Sequence, residues 1–208
     1  AAATVLKRQP DTDRVAVLAD RVLSSSQRMG RMIEDLLDVT RIRHAGGLAL
    51  QLGRADMQSI VQRTLDEVQT SFPDRNIESV LQGDMAGVWD SERLCQVATN
   101  IVGNAIHHGA PDQPVRVAVD GTQASVVTVA VSNGGTIAPE LLPHLFDPFR
   151  GRDRAPGRHQ GLGLGLFIAH QVVRAHGGRI DVHSQDGTTR FVVELPRVSP
   201  AAEKWSNT

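Results

Sequence analysis

A single long helical spacing of apolar residues gives way at His44-Ala45-Gly46-Gly47 to a mixed pattern, and that change decides what can fold on either side. Before it, Val15, Leu18, Val22, Met29, Ile33, Leu36 and Val39 recur at helical steps, with one double step filled by polar Ser25 and Ser26. That is a single stripe along a long helix. Pro10-Asp11-Thr12-Asp13 carries helix-start chemistry, and Gly46-Gly47 permit a left-handed C-terminal cap. Ala1 to Gln9 reads as the end of an earlier helix. One long amphipathic helix cannot bury its stripe alone, so it needs a hairpin partner, a second chain, or both. The plainer alternative is that it packs on the domain that follows.

Past Gly47 the pattern alternates between strand and helix periods. Leu48 to Leu52, Asn76 to Leu81 and Gly87-Val88-Trp89 read as strands. Asp56 to Phe72 reads as a helix with Ile60, Val61, Thr64, Leu65 and Val68 inward, and Ser91 to His108 as a second, capped by Asp90 or Ser91. Val115 to Val119 and Ala124 to Val131 are strands joined by an Asp120-Gly121 hairpin turn. Pro139 to Leu145 is a short helix, and Gly151 to Gln160 a mobile loop. Leu164 to His176 is a third helix closed by Gly177-Gly178. Arg179 to His183 and Thr188 to Leu195 form a last hairpin around Asp186-Gly187, and the tail after Pro196 reads as disordered. This order predicts an α+β fold, a two-layer sandwich with helices on one face of a mixed sheet.

With 22 basic and 23 acidic residues the formal charge is -1. That balance argues against nucleic acid or an anionic membrane as partner. The single cysteine, Cys95, allows no intrachain disulfide and fits a reducing compartment. No apolar run approaches the roughly 18 residues of a membrane span. The opening Ala1-Ala2-Ala3-Thr4-Val5-Leu6 carries neither signal-peptide features nor an initiator Met, so a piece of a longer, cytoplasmic protein is expected.

Four stretches carry chemistry. Gly161, Gly163 and Gly165 alternate with leucines directly before a helix, where bare backbone N–H groups and the helix dipole favour an anion. A hinge or a tight packing site gives the same pattern. Asn100, Asn104 and His107/His108 share one helical face; amide oxygens there suit Mg²⁺ bound together with phosphates, and a solvated polar face is the alternative. Asn133-Gly134-Gly135 ends a strand, either as a sharp turn or with the Asn amide turned to a purine edge. Phe146-Asp147-Pro148-Phe149 reads as a hydrophobic anchor for the base of the loop that follows.

In this order the four stretches resemble the N, G1, F and G2 boxes of the sensor histidine kinase catalytic domain, over about residues 46–197. That superfamily also includes gyrase, heat-shock protein 90 chaperones and mismatch-repair ATPases. Met29 to Ile42 resembles the second helix of the family's dimerisation hairpin, and the bacteriophytochrome-like and related soluble-sensor kinases are the nearest in flavour. The resemblance implies a remnant of a helical-hairpin dimerisation and phosphoacceptor domain at 1–45, a catalytic ATP-binding domain at 46–197 and a disordered tail at 198–208.

The resemblance also implies roles. Asn104 matches the Mg²⁺-coordinating Asn and Asn100 its support one turn earlier. His107 stands where many members have a phosphate-contacting Lys, and His108 at a position lining the pocket. Asn133 replaces the Asp that accepts from the adenine amino group, making that contact neutral. Gly135, Ile137 and Phe149 belong to the nucleotide surround, and Thr136 stands where a second Gly is usual. Residues 150–160 match the ATP lid, whose Arg152, Arg154 and Arg158 are candidates to reach the γ-phosphate. Gly161, Leu162, Gly163, Leu164 and Gly165 match the glycine box, and Thr188 or Thr189 the late-strand Thr near adenine.

The implied reaction is transfer of the ATP γ-phosphoryl group to a histidine, with Mg²⁺ as cofactor, a response regulator as partner and a homodimeric parent protein. The family's acceptor His lies on the first hairpin helix, yet no histidine precedes His44 among the eight in this chain. The chain is therefore expected to bind Mg-ATP without phosphorylating itself. Two other readings stand beside this one: an ATPase or Ser/Thr kinase of the same superfamily, and a degenerate, non-catalytic module for dimerisation or regulator docking. His44, His144, His159, His170, His176 and His183 share no ligand spacing, so no zinc site is expected.

Overall fold

Aspartate stands directly ahead of two helices and caps both. Asp56 accepts from the Ser59 N–H and Asp90 from the Arg93 N–H, which starts α2 (Met57–Ser71) and α3 (Ser91–His108) where the sequence places them. The computed structural model describes residues 12–44, 48–149 and 162–198. The predicted first-helix end at Ala1 to Gln9, the glycine cap at 46–47, the loop at 151–160 and the tail from 199 lie outside those residues.

The chain divides into two units, Ala1–Thr40 and Arg41–Thr208. The first carries most of α1 (Thr12–His44). Along it Val22, Met29, Ile33 and Leu36, four members of the predicted stripe, are exposed.

In the second unit, β1 (Gly53–Asp56) pairs antiparallel with β3 (Ala86–Trp89). The main sheet holds β2 (Ile77–Gly83), β4 (Val115–Gly121), β5 (Val126–Gly134), β6 (Arg179–Gln185) and β7 (Thr188–Pro196), in the order β2-β4-β5-β7-β6. β2 lies parallel to β4 and the other pairs are antiparallel, so the sheet is mixed, as expected. A 3₁₀ helix (Pro139–His144) stands at the predicted short helix, and α4 (Gly165–Ala175) follows the glycine box.

The core follows from strand alternation. Val115, Val117 and Val119 of β4 are buried while Arg116 and Ala118 are exposed. In register across the sheet, Val119, Val129, Val193 and Ile180 form one inward row, and Val117, Val131, Phe191 and Val182 the next. The apolar faces of α2, α3 and α4 cover these rows through residues such as Ile60, Leu65, Val97, Ile101, Ile168 and Val172. The opposite face is polar, with Arg116 paired to Glu78 at 2.8 Å and Arg179 to Glu194 at 2.9 Å. The fold is thus the two-layer α+β sandwich expected.

Three local expectations are corrected. Leu48 to Leu52 forms no strand. Its backbone is held instead by a side chain, Gln51 N–H donating to Asp90 Oδ2 at 2.8 Å, and pairing begins only at Gly53. Asp120-Gly121 is not a turn: Asp120 pairs with Thr128 and Gly121 with Gly83, and the chain reverses over residues 122–125. The Asp120 carboxylate accepts from both the N–H and the hydroxyl of Thr122, which moves the reversal one step on and lowers its pKa. Arg197 and Val198, read as tail, are anchored. The Arg197 guanidinium donates to the carbonyls of Ala86, Asp84, Gly121 and Gln123 at 2.7–3.0 Å, and Val198 bridges to Val88.

Candidate functional site

The inward rows of the sheet are apolar until the last. There Asn133, Thr189 and Ser184 stand in register at the ends of β5, β7 and β6. Asn133 and Thr189 are buried. A buried polar row needs partners, and these residues supply them to one another. The Ile137 N–H donates to Ser184 Oγ at 2.7 Å, Ser184 and Thr189 share a hydrogen bond of 2.9 Å, and Thr189 Oγ1 donates to the Gly135 carbonyl at 2.9 Å. Since Thr189 spends its proton on Gly135, the Ser184 hydroxyl is the donor of the shared bond. The chain of bonds holds Gly135 and Ile137 in a fixed turn over the end of the sheet. Asn133 Nδ2 donates to the Gly134 carbonyl at 2.8 Å. Ser184 escaped the sequence reading, because only strand register brings it beside Thr189.

Helix α3 runs along this end of the domain. Its C-terminus touches the turn: Ala110 N–H donates to the Gly134 carbonyl at 3.0 Å, and a Cβ at Gly135 would stand 3.5 Å from the His108 carbonyl. Two turns earlier a Cβ at Gly165 would stand 3.0 Å from Asn100 Oδ1. Asn100 and His108 are eight residues apart on one helical face. Asn104 lies midway between them on that face, so it sits between the glycine box and the strand-end turn. His107 lies elsewhere. Its Nδ1 bonds the Gly103 carbonyl and its ring meets Phe72 edge-on, with centroids 5.4 Å apart, so it packs against the end of α2.

The N-terminus of α4 differs from those of α2 and α3. Leu164 occupies its cap position and no side chain among the described residues caps it. Its first N–H groups therefore remain available, at the positive end of the helix dipole. Gly163 sits at φ 69°, a conformation other residues enter at a cost, and its carbonyl accepts from the Phe149 N–H at 3.2 Å. That bond ties together the two chain segments flanking residues 150–161. Phe146 stacks on His170 of α4 with centroids 5.1 Å apart. Burial, then Arg174, lowers the His170 pKa. Arg152, Arg154, Arg158 and Gly161 lie outside the described residues. Thr188 is exposed beside Gly134, at the end of β7.

Asn100 Nδ2 is buried with no partner among the described residues. A buried amide donor without an acceptor is costly, and the oxygen of the same side chain stands beside Gly165 at the N-terminus of α4. Among the described residues no three His, Cys, Asp or Glu side chains converge on a point. A divalent ion at this site would accordingly rest on an amide oxygen and on ligand phosphates, a donor set that suits Mg²⁺.

Residues 89–199 match the family described as histidine kinase-, DNA gyrase B- and HSP90-like ATPase. The chain is 32% identical over 195 residues to the bacteriophytochrome of Pseudomonas aeruginosa, covering 93% of this chain and 27% of that protein. It is 32% identical over 180 residues to the sensor protein SrrB of Staphylococcus aureus, covering 85% and 31%. The chain thus spans about a third or less of the curated relatives it matches. Among solved structures, a mycobacterial sensor histidine kinase, MprB, superposes with TM-score 0.61 at 25% identity, over 71% of this chain and 98% of that one. Full-length ShkA, solved with AMPPNP, superposes with TM-score 0.72 at 20% identity, over 94% and 41%, which extends the likeness in fold.

Proposed function

The chain belongs to the histidine kinase-, DNA gyrase B- and HSP90-like ATPase family as an ATPase domain of the sensor histidine kinase type, and from that premise we propose that it binds Mg-ATP for phosphoryl transfer to a histidine. The observation that carries this reading is the uncapped N-terminus of α4 facing the unpartnered Asn100 amide. Two of the three helices on the sheet spend an aspartate on their N-terminal N–H groups, and the third keeps its own for a ligand.

Each residue then has a task. The α4 N–H groups receive phosphate oxygens, and Gly165 leaves room for Asn100, whose Oδ1 a Cβ there would approach to 3.0 Å. Asn100 Nδ2 donates to the same anion. Asn104 turns its amide oxygen to the metal. Bound there, Mg²⁺ supplies charge neutralisation across the phosphates. Asn133 Oδ1 accepts from an adenine amino group, since its Nδ2 is committed to Gly134. Arg152, Arg154 and Arg158 are the proposed lid cations, and His108, Ile137, Phe149, Leu162, Leu164 and Thr188 complete the surround. The work of the chain is positioning and electrostatics.

The phosphoacceptor is proposed to lie on a histidine outside this polypeptide. The exposed stripe on α1 supports a hairpin and a homodimer in the parent protein, with a response regulator as downstream partner in the cytoplasm. The test is calorimetric titration with a non-hydrolysable ATP analogue, with Mg²⁺ and with EDTA. Mg²⁺-dependent binding that Asn104→Ala removes is the expected outcome. Absence of binding at about millimolar nucleotide would refute the reading and favour a non-catalytic docking module.

A further inference from the structure

His176 is wholly buried, and among the described residues its hydrogen-bond partners are Val172 and Asp90, neither of which belongs to the proposed nucleotide site. Its Nδ1 bonds the Val172 carbonyl at 2.8 Å and its Nε2 faces the Asp90 N–H at 3.0 Å. A carbonyl only accepts and an N–H only donates, so the ring is the neutral Nδ1–H tautomer. Asp90 is equally committed. Oδ1 caps α3 through the Arg93 N–H, and Oδ2 accepts from Gln51 N–H in the segment that enters the domain. Three elements therefore meet at one pair of residues: the C-terminal cap of α4, the N-terminal cap of α3 and the entering segment.

The two helices run antiparallel away from this junction. Asn100 lies ten residues along α3 from Asp90, and Gly165 eleven residues back along α4 from His176. At about 1.5 Å per residue both arms are roughly 15–16 Å long. They end where Asn100 meets Gly165, so the junction and the phosphate cradle are two rungs of one ladder. Between them α4 presents Ile168, Ala169, Val172 and Val173, packed with no measurable exposure. Close packing resists bending, so a slide at one rung appears at the other. Apolar packing alone tolerates sliding, whereas the hydrogen bond at the junction admits one register.

We infer that His176 is a positioning residue for the nucleotide site, holding α4 in the register that sets Gly165 and its N–H groups against Asn100. Its bearing on catalysis rests on the nucleotide reading above, while the helix register does not. The entering segment shares the junction through Asp90, whose carboxylate holds Gln51 N–H while its own backbone N–H is held by His176, so a pull on Gln51 and the register of the cradle act on the same residue.

The test uses the whole chain. In the ligand-free protein, His176→Leu is expected to shift the NMR signals of the Asn100 side-chain amide and the Gly165 backbone amide. His176→Gln, whose Oε1 can accept from the Asp90 N–H, is expected to return both toward their wild-type positions. AMPPNP affinity should follow the same order, about tenfold weaker for Leu and within about twofold for Gln. Unmoved signals in a folded His176→Leu protein overturn the inference, as does His176→Gln behaving like Leu. If His176→Leu does not fold, acid titration of the wild type examines the same bond, because protonation removes the acceptor at Nε2. Asp90 is the charged group that faces the ring. The Asn100 and Gly165 signals must then move with the ring, and their indifference would overturn the inference. Signals that respond in a protein that binds no nucleotide would refute the nucleotide reading and leave the helix linkage standing.

Discussion

Asn133 is an amide where the resemblance leads one to expect a carboxylate, and its surroundings explain the choice. It is 6% exposed and its Nδ2 donates to the carbonyl of the next residue. An aspartate would set a buried acceptor against that carbonyl. Asn133→Asp is therefore expected to destabilise the ligand-free domain by about 1–3 kcal/mol, read from urea midpoints. An unchanged midpoint would show that the turn does not depend on this bond. His176 makes the complementary case. Burial, the largest influence, pushes its pKa below the ordinary histidine value, against smaller raising effects from the Val172 carbonyl and Asp90. The folded state then binds fewer protons than the unfolded chain, so stability falls as pH drops below about 6.5 toward the depressed folded value. Denaturation at about pH 7.5 and about pH 5 should show that loss, and His176→Gln should remove its share and leave that of His170, whose pKa burial also lowers. Equal slopes in the two proteins would assign the pH dependence to other groups.

At the scale of elements, helices were easier to read than strands. α2 and α3 lie within a residue of their expected bounds, because caps and the 3.6-residue period are local signals. Strand identity depends on a partner. Leu48 to Leu52 alternates correctly but has no strand to pair with, while Gly53–Asp56 alternates poorly and pairs with β3. Asp-Gly occurs twice at a predicted turn. At 186–187 it makes the hairpin, with φ values of 50° and 75°, and at 120–121 it continues the ladder. The glycine box yields the prediction for α4. Alanine in a helix is usually better than glycine by about 0.5–1 kcal/mol, but a Cβ at 165 would press on Asn100 Oδ1. The two effects offset, so Gly165→Ala should leave thermal stability nearly unchanged and weaken nucleotide binding about tenfold. Unimpaired binding would place the phosphates elsewhere.

At the scale of the whole molecule, two kinds of surface are left unfinished. Among the described residues the N-terminal end of α4 has no side-chain cap and the Asn100 amide nearby has no partner, and α1 offers exposed Val22, Leu23, Met29, Ile33, Leu36 and Leu37. Incubated alone with labelled ATP, the chain should take up no acid-labile phosphate, since no histidine precedes His44. Sedimentation of the same sample at rising concentration would show whether the α1 stripe pairs with a second copy. Label on the polypeptide would mean that a histidine at or beyond His44 serves as acceptor. The sequence by itself determined the helices that cover the sheet, the fold class and the ATPase family, because period, caps and box order are written along the chain. Tertiary structure decided what depends on register. It set Ser184 beside Thr189, turned His107 toward Phe72 and left α4 uncapped beside Asn100. It also brought Arg197 back across two turns and joined His176 to Asp90, 86 residues away. Local signals reach about one helical turn along the chain, whereas a hydrogen bond between distant segments exists only once strands and helices have been aligned.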